Sequence, residues 1–82
     1  MELSETVGMM QSAEYKERFK AEYHQLKIRY HKLDNMLIKA EAGVLGFRLD
    51  CPIELLKEQL GVMRRYLQIL HARAQIEEIS LG

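Results

Sequence analysis

The sequence predicts an all-α protein: two long antiparallel helices forming an αα-hairpin, with a short N-terminal arm, that assembles into a homo-oligomeric helical bundle. Three observations predict it. Apolar residues step by four and three along two stretches, as one face of a helix requires. Between the stretches lies "GVLGFRLDCP", with two glycines and the only proline of the chain, residue types that end and restart helices. The second stretch also carries more apolar surface than one partner helix can cover.

Residues 1–11 show no sustained period and read as a flexible or short-helical arm. Ser12 is placed to cap a helix, with Glu14 in its first turn. From there Phe19, Tyr23, Leu26, Tyr30, Leu33, Leu37 and Ala40 form an unbroken seam. The first helix is therefore expected over 12–42, about 45 Å long at 1.5 Å per residue. Gly43 fits the position just past a helix end, where left-handed geometry is needed. The connector, 43–51, holds Leu45, Phe47 and Leu49, and is expected to fold over the end of the hairpin or into a neighbouring subunit. A second helix is expected over 52–78. Pro52 suits its first turn, Asp50 or Cys51 can cap it, and Glu54 complements its dipole. Its seam is Leu56, Leu60, Met63, Leu67 and Leu70, and "SLG" is expected to fray.

Eighty-two residues make a single small domain. A chain this short buries too little surface to be strongly stable alone and usually needs a staple or a partner. Its single cysteine cannot form an internal disulfide, and no Cys/His array has zinc spacing. One unpaired cysteine suits a reducing, cytoplasmic setting. No apolar run reaches the roughly 20 residues of a membrane span, and "MELSETVGMM" lacks the pattern of a signal peptide. Twelve basic residues balance twelve acidic ones, which argues against a general DNA or RNA binder.

The second helix has a further row, Leu55, Val62, Ile69 and Ile76, beside its seam. Between row and seam run Gln59, Tyr66 and Arg73, seven apart. So wide an apolar arc calls for another copy of the chain, with the polar line at the boundary between intrachain and interchain packing. The first helix carries a matching flank: Tyr15, Arg18, Glu22, Gln25, Arg29 and Lys32. An aromatic plane followed by three cations can stack on a base and neutralise phosphates. The plainer reading is a solvated face with Arg18–Glu22 and Glu22–Arg29 pairs.

Other groups point to less. His24 and His31 are seven apart on the outer side of the first helix, too distant to share a metal. His71 adjoins the second seam, and Arg64 and Arg65 diverge by about 100° on a helix. Tyr23 and Tyr30 sit in the seam as core aromatics with rim hydroxyls. Met63, Met9 and Met10 read as apolar filler, and Glu77–Glu78 as solvating. No nucleophile–base pair, phosphate-binding glycine loop or paired-carboxylate motif suggests an enzyme.

The residues Leu55-Leu56, Gln59-Leu60, Met63, Tyr66, Ile69-Leu70 and Arg73, preceded by Tyr15, Arg18, Phe19, Glu22, Leu26, Arg29, Lys32 and Leu33, carry a resemblance. Over roughly residues 13–78 the chain resembles a family of small phage and prophage helical hairpins, of which anti-CBASS sponges are the best understood. The resemblance implies a phage origin and action in the host bacterial cytoplasm. It implies a hexamer that sequesters cyclic di- or trinucleotides between protomers without cleaving them, with no catalytic residue, cofactor or metal. It assigns Tyr15 to base stacking and Arg18, Arg29 or Lys32 to phosphate, with Tyr66 and Arg73 in a second, interchain site. The connector is more apolar than the acidic ones of many members, and Tyr30 stands at an aliphatic position; both point to an altered assembly or ligand.

The chief alternative is a structural or regulatory adaptor whose hairpin oligomer docks a host or phage protein. A small nucleic-acid-binding accessory ranks behind both, given the zero net charge.

Overall fold

The computed structural model describes residues 3–81, with side chains from Ala13 to Leu81. Two helices, α1 (Leu3–Glu41) and α2 (Ile53–Ile76), run antiparallel in a rod of 62 × 21 × 20 Å. The expected all-α hairpin is the fold. Every seam position of α1 from Phe19 to Ala40 is buried or half-buried, as are Leu56, Leu60, Met63, Leu67 and Leu70 on α2. The 4-3 spacing turns these residues to one side of each cylinder, and burial against the other helix follows.

The helix ends differ from expectation in instructive ways. The segment 1–11 was expected as an arm, but from Leu3 onward it is continuous with α1, and Ser12 lies inside the helix instead of capping it. Once a turn is nucleated, each added residue gains a backbone hydrogen bond, and Leu3, Glu5, Met9 and Met10 are good helix formers. The filler role expected of Met9 and Met10 concerns side chains outside the described residues. At its other end α1 closes as expected. Gly43 takes φ +74°, and the Val44 N–H reaches back to the Lys39 carbonyl at 3.0 Å. Beside this turn, Lys57 of α2 pairs with Glu41 at 2.5 Å, with the Glu41 hydrogen bond holding its ammonium above the ordinary lysine pKa.

The connector is only partly covered: Leu45 and Leu49 are half-buried, while Phe47 is 61% exposed. Neither Asp50 nor Cys51 caps α2. Pro52 itself occupies the N-cap with an extended backbone and no side-chain bond. Pro52 has no N–H and a fixed φ, so it orients the first turn without a cap.

As far as Leu81, the segment after α2 is not a frayed tail. α2 stops at Ile76, Glu77 donates its N–H to the Arg73 carbonyl at 2.8 Å, and Glu78 turns left-handed at φ 57°. The Ile79 N–H then bonds to the Ala74 carbonyl at 2.8 Å, a Schellman closure. That turn drops Ile79 into the main core cluster with Phe19, Leu70 and Ala74, and Tyr23, Leu26 and Leu81 pack around it. Glu78 does this in a conformation that strains any residue with a Cβ. Glu78→Gly is therefore expected to stabilise the protein by about 0.5–1 kcal/mol, the strain relieved less the extra chain entropy of glycine. In thermal melts that is a rise of roughly 2–8 °C; a fall would show that the turn is not strained.

Candidate functional site

The antiparallel register lays the polar flank of α1 beside the polar line of α2, along one edge of the hairpin. At the open end, Tyr15 donates its hydroxyl to Glu77 Oε1 at 2.7 Å. Arg73 Nη2 donates to the same hydroxyl at 2.7 Å, and Arg73 Nε reaches Glu77 Oε2 at 3.2 Å. The Arg73 guanidinium lies 5.1 Å from the centre of the Phe19 ring, and the Tyr15 ring tilts against Phe19 at 6.1 Å. Two turns further along, Tyr66 donates its hydroxyl to Glu22 Oε1. In mid-hairpin Arg64 Nε donates to the Tyr30 hydroxyl at 2.9 Å, so Tyr30 keeps the rim hydroxyl expected of it.

These bonds set the charge states. The hydroxyl of Tyr15 and the Arg73 guanidinium hold the Glu77 carboxyl below the ordinary carboxylate range. Accepting carboxylates raise the phenols of Tyr15 and Tyr66, so both stay protonated donors at neutral pH. The Glu77 hydrogen bond likewise raises Arg73. A carboxyl with a depressed folded pKa contributes stability that is complete above its unfolded pKa and is lost as pH falls through the folded one. Melting temperature is thus expected to hold from pH 7 to 5 and to fall below about pH 4. Glu77→Gln should lose the acid-sensitive part of that fall; an unchanged pH profile in the variant would discount the triad.

Two hollows flank Tyr66. A groove of about 430 Å³ on α2 is lined by Val62, Arg65, Tyr66, Ile69, Leu70 and Arg73. A smaller pocket of about 150 Å³ lies between the helices, lined by Glu22, Gln25, Leu26, Arg29 and Tyr66. The groove floor belongs to the extra apolar row, which the hairpin leaves open: Leu55 is 53% exposed, Val62 63%, Ile69 43% and Ile76 81%. The breadth of that uncovered face is what the spacing predicted.

The expected site residues group differently from expectation. Tyr15 was placed apart from Tyr66 and Arg73, yet it bonds directly to Arg73, and Arg29 shares a pocket with Tyr66. One continuous edge replaces two sites, because the register sets α1 residues against α2 partners. Arg18 and Lys32 are exposed and join neither hollow. The Arg18–Glu22 and Glu22–Arg29 ion pairs do not form among the described residues; Glu22 takes the Tyr66 hydroxyl instead. Glu77 is no solvating bystander, and its i, i+4 spacing from Arg73 was the available signal. Arg65, set aside with Arg64 because neighbours on a helix diverge, lines the groove beside Tyr66 and Arg73, a placement that its own helix's period does not reveal.

His24 and His31 are exposed, and His71 accompanies Gln75 beside the C-terminal turn, 3.4 Å apart. Among the described residues no cluster of His, Cys, Asp or Glu could hold a metal ion, and no helix is long and apolar enough to cross a membrane.

A family model described as Sequestin matches residues 13–76, a range that takes in both seams and every candidate residue from Tyr15 to Arg73. No curated protein and no solved structure matches the chain.

Proposed function

This chain belongs to the Sequestin family, and from that premise we propose that it sequesters cyclic di- or trinucleotides in clefts shared between protomers, without cleaving them. The family name denotes sequestration, a task of binding without chemical conversion. A phage anti-defence role, withholding the messenger from a bacterial immune effector, is part of the same proposal.

One observation carries it. The α2 groove sets two cations, Arg65 and Arg73, and the ring of Tyr66 around an apolar floor of Val62 and Ile69. Phosphates need the cations, bases need the plane, and the floor supplies desolvation. A passive sponge must outcompete an effector, which takes nanomolar affinity, about −12 kcal/mol. An open hairpin face encloses a ligand on one side only. A second copy laid on the exposed row would close the groove and bury that row in one step.

The test pairs native mass with thermal melts across a panel of cyclic di- and trinucleotides. Ligand at about a hundred times its Kd stabilises by about 2.7 kcal/mol, which in a domain this size is a rise of roughly 10 °C or more. The ligand should be released unchanged on denaturation. No shift across the panel, with no nucleotide released, would favour the adaptor reading, in which Leu55, Val62, Ile69 and Ile76 dock another protein.

A further inference from the structure

We propose that the pocket between α1 and α2 is a guanine-reading subsite in which Glu22 accepts the Watson–Crick donors of the base; the proposal rests on the nucleotide-sequestering reading. The pocket, about 150 Å³, is below the roughly 300 Å³ that encloses a whole small ligand. It has room for one base. Its walls divide by chemistry: Leu26 is apolar and half-buried, Tyr66 is a ring, Arg29 a cation, and Glu22 and Gln25 are hydrogen-bonding groups.

Glu22 is the residue that needs explaining. A carboxylate beside a phosphate-bearing ligand repels it, so its place here is a liability unless the ligand offers N–H donors. Among the described residues no cation neutralises Glu22; its partner is the Tyr66 hydroxyl, which occupies one carboxylate oxygen. Once that hydroxyl swings away, two oxygens with their lone pairs face the pocket. Guanine presents adjacent donors, N1–H and the N2 amine, matching the two oxygens in one plane. Adenine presents one donor beside an acceptor nitrogen, and uracil one donor between two carbonyls. Both set a lone pair against the carboxylate. Arg29 is placed for the attached phosphate, and the groove that shares Tyr66 offers Arg65 and Arg73 to the rest of the ring.

Bidentate readout of this kind discriminates by roughly ten- to hundred-fold. Calorimetric titration of the full chain with cyclic di-GMP and with cyclic di-AMP should show that preference for the guanine compound. Glu22→Gln should erase it by weakening cyclic di-GMP, with helicity and particle mass unchanged. Tyr66→Phe keeps the ring and frees the carboxylate, so the preference ratio should persist. A Tyr66→Phe ratio near one would mean that Glu22 merely positions Tyr66, and would overturn the proposal. Equal affinity of the two compounds for the native chain would overturn the guanine assignment and leave sequestration standing. Binding of no cyclic nucleotide would remove both.

Discussion

Phe19→Ala is expected to lower the melting temperature by roughly 12–40 °C and to leave much of the protein unfolded at 37 °C. Phe19 is 3% exposed, at the centre of the cluster that Leu70, Ala74 and Ile79 complete. Removing a buried phenyl ring costs about 3–5 kcal/mol, from lost transfer energy and from the cavity left behind. In a domain of this size each kcal/mol moves the midpoint by about 4–8 °C. The hairpin has little reserve. Among the described residues the buried apolar side chains are Phe19, Leu37, Leu70, Ala74 and Ile79, and small cores rarely supply more than about 3–5 kcal/mol. The loss also spreads to the polar edge, because Phe19 supplies the face against which Arg73 and Tyr15 lie. Phe19→Leu removes fewer buried atoms and leaves a smaller cavity, so it should cost less than the alanine variant. Melts of both variants by circular dichroism check this. A drop under about 5 °C for the alanine variant would mean that the cluster is not the fold's main support.

The parts of this fold that were legible in the sequence are those fixed by one helix's own period. Phe19 to Ala40 and Leu56 to Leu70 face inward because 3.6 residues make a turn, and nothing outside each helix is needed to know it. The exposure of Leu55, Val62, Ile69 and Ile76 was legible for the same reason. What depends on two segments meeting was not. Tyr15 meets Arg73, and Glu22 meets Tyr66, only through the register that the connector and seam packing impose. Either stripe read alone suggests a separate site. The C-terminal closure was hidden differently. Its left-handed residue is Glu78, not the glycine or asparagine that advertises such a turn. The remaining clue was the apolar Ile79 five residues after Ala74.

Under the proposed packing of copies on the uncovered row, Val62→Glu is expected to leave a folded monomer of 9.6 kDa. Within one hairpin Val62 is 63% exposed, so a carboxylate there meets water and costs the fold little. Glutamate is also the better helix former. Helicity should therefore match that of the native chain. Between two protomers the same carboxylate would be buried without a partner, a penalty of several kcal/mol that no rearrangement of neighbouring Ile69 and Tyr66 can offset. Light scattering without ligand separates the cases, and Gln68→Glu, on an exposed part of α2 away from the row, controls for added charge. That control should keep the native mass. A native chain already at the mass of one hairpin, or a Val62→Glu particle as large as the native one, would show that the uncovered row is not where copies meet. The proposed clefts would then lack their second wall.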